Sequence, residues 1–291
     1  MDEISVKALA KINLGLDVVR RREDGYHEVR MIMQTIHLFD RVQLKKKKEA
    51  GITLRTNLSF LPVDEHNLAY RAAAMLREEF DIKEGVEIAL EKHIPVAAGM
   101  AGGSTDGAAV LYAMNEIFGL GLSRQALMER GVKLGADVPY CIMRGTALAE
   151  GIGEKLTQLP PMVKCPVLIA KPQISVSTKY VYEHLKLNEQ SWHPDIDKLI
   201  DRIKAKKLEQ IGAAMGNILE SVTIAEYPEI EAIKDCMKEN GAVNAMMSGS
   251  GPTVFGLFAE KEEASRAAEA VRAQGIARQV FVTEIYNNRR K

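Results

Sequence analysis

Apolar and polar residues alternate near the start of the chain. The apolar positions run from Ile12 to Val18 at every second residue, with Asn13 and Asp17 between them. A period of two is typical of a β-strand with one buried face. The next residues, 22–25, are of turn-forming types, so the chain is predicted to reverse there.

Further along, the pattern switches between strand and helix. An apolar stretch over 31–38 predicts a second strand, and the basic run 45–48 is expected to be a solvated hairpin tip. Apolar residues at helical spacing predict a helix over residues 65–80, and 86–90 predicts a strand that leads to Pro95.

The second half shows the same mixture. A short apolar strand over 163–170 is flanked by prolines, which indicates a domain junction. Beyond it the pattern predicts helices at 196–206, 208–222, 228–240 and 261–273, a glycine- and serine-rich loop at 248–252 between two strands, and a last strand at 279–285. Irregular alternation of strands and helices favours an α+β fold over a doubly wound parallel sheet. We expect two domains, residues 1–160 and 161–291.

Composition narrows the class of protein. The chain has 39 basic and 39 acidic residues, 46% hydrophobic residues and 27% charged ones. This balance argues against a nucleic-acid partner and against disorder. No secretory signal is visible, and no apolar run approaches the ~20 residues of a membrane span. The three cysteines are far apart, as expected of free thiols in a cytoplasmic protein. A monomer and a weak homodimer both remain open.

Residues 95–106 have the composition of an anion-binding loop. Small residues let backbone N–H groups approach a phosphate, and the helix predicted to follow adds its positive end. Ser104, Thr105 and Asp106 are suited to cap that helix, and a hydroxyl there could reach a phosphate-bound Mg²⁺. The alternative is a tight strand-to-helix turn with a good cap. Walker A, dinucleotide-binding and protein-kinase motifs are all absent from the sequence.

Two other places offer polar groups among apolar ones. Lys11 and Asn13 lie on the polar face of the first predicted strand, and Asp137 stands alone between Gly135 and Pro139. Taken singly, these residues have plainer interpretations. A lysine is common at a strand edge, and glycine followed by proline is how many helices end.

Taken together, these motifs resemble the three-motif pattern of the GHMP kinase superfamily. The three motifs are Lys11 to Asn13, Pro95 to Thr105 and Ser248 to Pro252. A closer likeness to one kind of member is carried by six segments: Ala10 to Leu14, Asp24 to Glu28, Pro95 to Thr105, Gly135 to Pro139, Ala149 to Glu154 and Met247 to Thr253. They occur in order and span nearly the whole chain. The sequence departs from the family at Ala97, Ala98 and Ala101, where glycine is common, and at Thr105, where serine is commoner. A methyl group should be tolerated unless one of these positions needs a positive φ.

The resemblance implies a fold and a reaction. The fold would combine a ribosomal protein S5 domain 2-like, ATP-binding N-terminal domain with a ferredoxin-like, substrate-binding C-terminal domain. The closest likeness is to members that use ATP with Mg²⁺ to phosphorylate the C2 hydroxyl of 4-diphosphocytidyl-2-C-methyl-D-erythritol, in the non-mevalonate route to isoprenoid precursors. Asp137 would accept the proton of this hydroxyl, or at least orient the hydroxyl. Lys11 would stabilise the ionised Asp137 and offset charge on the transferred group.

The resemblance also implies binding residues. Those for ATP are Pro95, Val96, Ala97, Ala98, Gly99, Met100, Ala101, Gly102, Gly103, Ser104, Thr105 and, near the adenine, Asn67. Those for the cytidyl substrate are Asn13, Tyr26, His27, Thr178, Tyr182, Ser248 and Gly249. Tyr182 is expected to stack on cytosine, with Tyr180 as its rival. Ser104 and Thr105 are the candidates for Mg²⁺.

Two other functions stay open at this point. One is a GHMP kinase for a different small alcohol, and the other is a non-catalytic nucleotide-binding protein on the same scaffold. The pair Tyr26 and His27, together with Tyr182, argues against the first, because a substrate without a base needs no stacking platform. Intact Lys11 and Asp137 argue against the second.

Overall fold

The computed structural model describes residues 2–188 and 191–288, and it divides the chain into two compact units. Unit one consists of residues up to 10, 38–96 and 101–143, and unit two of 11–37, 97–100 and 144 onwards. Both units are discontinuous in sequence. The predicted domain boundary after residue 160 therefore stays a prediction, and its outer limits at residues 1 and 291 lie outside the described residues.

The division cuts the two long strands, β1 (Glu3–Arg21) and β2 (His27–Lys47), so that each unit holds a part of both. The other elements of unit one are β3 (Ile52–Thr56), α1 (Leu68–Glu79), β4 (Gly85–Glu91), α2 (Gly102–Phe118), α3 (Arg124–Leu134) and α4 (Val138–Met143). Here β4 pairs antiparallel with β2 and parallel with β3. Helix α2 packs against both α1 and α4.

The remaining strands of unit two are β5 (Thr146–Gly151), β6 (Lys155–Gln158), β7 (Pro166–Lys171), β8 (Gly216–Asn217), β9 (Asn244–Met247), β10 (Val254–Leu257) and β11 (Gln279–Glu284). Its helices are α5 (Thr178–His184), α6 (Ile196–Ala205), α7 (Leu208–Ala214), α8 (Glu220–Glu226), α9 (Glu229–Glu239) and α10 (Lys261–Ala273). Strands β11, β7, β10 and β9 form an antiparallel sheet in that order. Helices α9 and α10 pack against this sheet, and β5 pairs antiparallel with β2 and β6.

Local sequence explains where several helices begin. The Asn67 side chain accepts a hydrogen bond from the Ala69 amide at 2.9 Å, so α1 begins at residue 68. Ser123 caps α3 in the same way, and Glu260 forms a capping box with Glu263 at the start of α10. The α+β architecture, the turn at 22–25 and the last strand agree with the prediction.

Three local predictions were wrong. The first strand is buried on both faces over residues 8–16, because its polar residues find partners inside the protein. The basic run is no hairpin tip: residues 45–47 lie within β2 and pair with β4. The single helix predicted over 208–222 is interrupted by β8, where Gly216 packs against Trp192 and pairs with Gly15 of β1.

Among the described residues, none of the helices combines the length and the apolar character that crossing a membrane requires. All three cysteines are buried free thiols.

Candidate active site

In unit two, Lys11 is a buried cation with uncharged partners. Its side chain is held in the middle of β1 and the residue is 5% exposed. The ammonium group donates to Asn13 Oδ1 at 2.7 Å and to the Gly99 carbonyl at 2.9 Å. Since neither acceptor carries a charge, its positive charge is hydrogen-bonded without being neutralised by them.

Asn13 is fully buried and engaged at both ends. Its Oδ1 accepts from Lys11, and its Nδ2 lies 3.3 Å from the Met31 sulfur. Its direct structural effect is therefore to hold the Lys11 ammonium group. The predicted contact between Asn13 and substrate stays a prediction.

The loop between β9 and β10 packs against the middle of the glycine-rich segment within unit two. The Ser248 hydroxyl is buried and donates to the Gly99 carbonyl at 3.0 Å. A Cβ at Gly99 would collide with the Ser248 backbone, and one at Gly249 would lie 3.3 Å from the Gly99 carbonyl oxygen. Both residues also have a positive φ, 69° at Gly99 and 61° at Gly249, so glycine is favoured on both sides of this close approach.

Asn217, which the sequence motifs did not single out, holds this loop by hydrogen bonds. Its Nδ2 donates to the carbonyl oxygens of Met247 at 2.9 Å and Gly249 at 2.8 Å. The prediction placed it inside a helix. The adjacent Met215-Gly216-Asn217 sequence, with glycine followed by asparagine, was the available signal of a break.

In unit one, α2 begins within the glycine-rich segment. Its N-cap residue is Ala101, which offers no side-chain cap, and the first turn holds no acidic residue. The first N–H groups of a helix lack intrahelical partners and carry partial positive charge. The predicted capping by Ser104, Thr105 or Asp106 is wrong, because all three lie inside the helix, which begins at Gly102.

The two hydroxyls expected to serve Mg²⁺ differ. Thr105 is 1% exposed and its hydroxyl donates to the Leu9 carbonyl at 2.9 Å. The proton of that hydroxyl is therefore used inside unit one. Ser104, one residue earlier, is half-buried, and the assignment of either hydroxyl to Mg²⁺ stays a prediction.

Two of the three alanines in the glycine-rich segment have the positive φ that disfavours a methyl group. Ala97 has φ 50° and Ala101 has φ 57°, both in the left-handed region, while Ala98 lies outside it. The methyl groups are thus accommodated with backbone strain at two positions. Of the remaining predicted positions, Pro95, Ala98 and Met100 are buried and Gly103 is exposed.

A buried ionic cluster lies next to both ends of this segment in unit one. Lys92 contacts Asp40, and its Nζ lies 2.5 Å from Asp106 Oδ2. Burial raises the pKa of Asp106 to about 7, with Lys92 opposing the shift and Asp40 adding to it. Burial alone would lower the pKa of Lys92, but Asp106 and Asp40 outweigh it and the pKa is raised. Neither Lys92 nor Asp40 lies in a motif that the sequence singled out.

Two of the residues predicted to hold a pyrimidine meet in unit two. The rings of His27 and Tyr182 have centroids 5.1 Å apart at an interplanar angle of 39°. Burial and then the charge of Arg21 lower the pKa of His27, which favours the neutral imidazole with one donor and one acceptor. Tyr180 instead stacks on His184, with centroids 3.8 Å apart.

The other predicted residues are placed as follows. Tyr26 is 61% exposed. Thr178 begins α5, and its hydroxyl lies 2.8 Å from the Ser250 hydroxyl. Asp137 is half-buried directly before α4, and its carbonyl accepts from the Cys141 amide at 3.0 Å. Asn67 is engaged as the cap of α1 and donates to the Pro62 carbonyl.

Family models match both halves of the chain. The GHMP kinases N terminal domain matches residues 67–145 and GHMP kinases C terminal matches residues 192–277.

Individual proteins match over nearly the whole length. The 4-diphosphocytidyl-2-C-methyl-D-erythritol kinase of Lachnospira eligens is 54% identical over 98% of this chain and 99% of its own. The enzyme of the same name from Lachnoclostridium phytofermentans is 53% identical over 99% of both chains. A crystal structure of 4-(cytidine 5'-diphospho)-2C-methyl-D-erythritol kinase is 32% identical with a TM-score of 0.85, covering 98% of this chain and 100% of that one. The two-domain fold is therefore the one that these kinases share.

Proposed function

This chain belongs to the GHMP kinase family, and within it to the 4-diphosphocytidyl-2-C-methyl-D-erythritol kinases, and on that premise we propose how its residues perform the reaction. The γ-phosphoryl group of ATP passes to the C2 hydroxyl of 4-diphosphocytidyl-2-C-methyl-D-erythritol. The bond between the γ-phosphorus and the β–γ bridging oxygen breaks, and a bond from that phosphorus to the C2 oxygen forms. The products are ADP and the 2-phosphate, a step towards isoprenoid precursors.

The observation that carries the kinase mechanism is the environment of Lys11. Its ammonium group is buried, yet its acceptors Asn13 and Gly99 are uncharged. Gly99 lies within the segment 95–105 that we assign to the ATP phosphates. In this proposal Lys11 offsets the negative charge of the transferred group, which is the main task in phosphoryl transfer.

The amino end of α2 is assigned to the triphosphate. It has no side-chain cap, and Gly102 and Gly103 carry no side chains that would keep a phosphate from its backbone N–H groups. Mg²⁺ would neutralise phosphate charge when bound with ATP, and Ser104 is the residue we assign to it. Asn67 is assigned to the adenine side of the nucleotide.

The cytidyl part of the acceptor substrate is assigned to unit two. Tyr182 stacks on the cytosine and His27 hydrogen-bonds its edge, and Tyr26 and Thr178 are assigned to the same part of the substrate. Asn13, Ser248 and Gly249 are assigned to the rest of the molecule. Asp137 is assigned the task of taking the hydroxyl proton or orienting the hydroxyl. The three free buried cysteines support a cytoplasmic location.

One assay tests the function: ATP consumption with a panel of alcohols that includes the cytidyl compound, homoserine and mevalonate. We expect turnover of the cytidyl compound alone. Turnover of homoserine or mevalonate without it would identify a different GHMP kinase, and tight ATP binding with no turnover would identify a nucleotide-binding protein. The matched variants Tyr182→Ala and Tyr180→Ala sharpen the result, because only the first should raise KM for the cytidyl compound.

A further inference from the structure

Lys92, Asp40 and Asp106 form the most deeply buried ionic cluster among the described residues of unit one. Their side chains are 4%, 0% and 4% exposed. Asp40 uses its other oxygen to accept from the backbone amides of His93 at 2.5 Å and Ile94 at 2.8 Å. The lysine is thus the link between one carboxylate fixed to the backbone and a second one on α2.

The cluster reaches both ends of the segment 95–105. Lys92 and its neighbours directly precede Pro95, and Asp106 follows Thr105 within the first turns of α2. A Cβ at Gly102 would lie 3.5 Å from Lys92 Nζ and 3.3 Å from Ile94 Cγ2. The first residue of α2 therefore packs against the Lys92 ammonium group and against Ile94, which follows β4 in the chain.

Stability alone does not account for this arrangement. Removing one lysine and two carboxylates from water costs much of what their attraction returns, and apolar replacements of such clusters are often equally stable. In the described part of the chain, Asp106 Oδ1 is also buried without a hydrogen-bond partner. The cluster instead fixes the position of the residues that follow β4 relative to the start of α2.

We propose that Lys92 is a positioning residue for ATP binding, which ties Asp40 to Asp106 and so holds the two ends of the phosphate-binding segment in register. The ammonium group does not touch the nucleotide. It sets where the free N–H groups at the amino end of α2 point, and these N–H groups meet the phosphates. This inference rests on the proposed assignment of segment 95–105 to ATP.

The test compares Lys92→Met with Lys234→Met by calorimetric titration with ATP and Mg²⁺. Lys234 is the matched control, a buried lysine of unit two held by Glu220 at 3.0 Å and Glu231 at 2.9 Å. We expect Lys92→Met to raise the Kd for ATP by about tenfold, within the range that a helix-terminus anion contact gives. Lys234→Met should leave that Kd within twofold, and KM for the alcohol substrate should stay unchanged in Lys92→Met.

A second variant tests the inference if Lys92→Met does not fold. Lys92→Met combined with Asp106→Asn removes the unpaired carboxylate on α2 and leaves Asp40 with its two backbone donors. It should also weaken ATP binding, because the link to α2 is gone. A folded variant with wild-type affinity for ATP, or with KM for the alcohol raised as much as the Kd for ATP, would overturn the inference. Failure of the wild-type protein to bind ATP would instead overturn the proposed function.

Discussion

Two buried lysines, Lys11 in unit two and Lys92 in unit one, are stabilised in opposite ways. They are 5% and 7% exposed. Lys11 donates to an amide oxygen and a carbonyl oxygen, whereas Lys92 is held between two carboxylates. Hydrogen bonds to neutral oxygens leave a positive field that an incoming phosphate can use, while paired carboxylates cancel it. Equal burial therefore does not mean equal function.

In unit one the charge of the buried Lys92 is already cancelled by its carboxylate partners. In our proposal the phosphates therefore meet backbone N–H groups at the start of α2 in that unit. A protein with no net charge can in this way bind highly anionic ligands, because the positive potential is arranged locally rather than summed over the surface.

The largest effect is expected from Lys11→Met. This change removes the uncancelled charge but leaves no buried carboxylate unpaired, and Gly99 keeps its bond from Ser248. We expect kcat to fall by about 10²–10³, the loss typical of removing one electrostatic contact to a transition state. Steady-state kinetics will measure it, and far-UV circular dichroism will check the fold. A kcat within threefold of wild type would show that the charge of Lys11 plays no part in phosphoryl transfer.

Asn13→Asp would make the two lysines alike. The substitution keeps the shape of the side chain and places a carboxylate 2.7 Å from Lys11 Nζ, where an amide oxygen now lies. Because the charge of Lys11 would then be cancelled, we expect kcat to fall by about tenfold, equal to ~1.4 kcal/mol of transition-state stabilisation. Steady-state kinetics with Asn13→Ser as the uncharged control will measure this. Equal losses in the two variants would contradict the electrostatic explanation.

The cluster in unit one should be visible in the pH dependence of stability. The pKa of Asp106 is raised to about 7 in the folded protein, chiefly by burial. At pH values between the ordinary pKa of an aspartate and 7, the folded state therefore binds more protons at Asp106 than the unfolded state does. The contribution of Asp106 to the free energy of unfolding is complete at low pH and is lost as the pH rises through 7. The slope is at most about 1.4 kcal/mol per pH unit.

Urea denaturation of the wild-type protein and Asp106→Asn measures this contribution. The stability of the wild type relative to the variant should decline between pH 5 and 8 and then become constant. A difference that stays constant over this range would mean that Lys92 holds Asp106 ionised, because the folded and unfolded states would then bind the same number of protons there.

The smallest effect is expected where Ala101 replaces the glycine that its backbone conformation favours. Left-handed alanine costs about 1–2 kcal/mol and glycine loses about 0.5–1 kcal/mol of chain entropy, so Ala101→Gly should raise the free energy of unfolding by up to ~1.5 kcal/mol. Ala98→Gly is the control, since Ala98 is buried and outside the left-handed region, and it should lower stability. Urea midpoints will compare them, and destabilisation by both changes would show that the strain at Ala101 is negligible.

The sequence by itself determined several of the elements, the α+β class and the motifs that place the chain among the GHMP kinases. Hydrophobic spacing and capping residues act over a few positions, so their effect is readable without a structure, as at Asn67 and at the turn over 22–25. Single motifs such as Lys11 with Asn13 were ambiguous, and only their joint occurrence was specific.

Only the tertiary structure decided which polar residues are buried and what they contact. Asp40 reaches Lys92 across 52 positions, and Asn217 interrupts a predicted helix in order to hold a loop 30 and 32 residues away. Local patterns carry no record of such partners. Whether a buried lysine meets a carboxylate or an amide oxygen depends on chain packing, and that choice separates the charge available to a ligand at Lys11 from the cancelled one at Lys92.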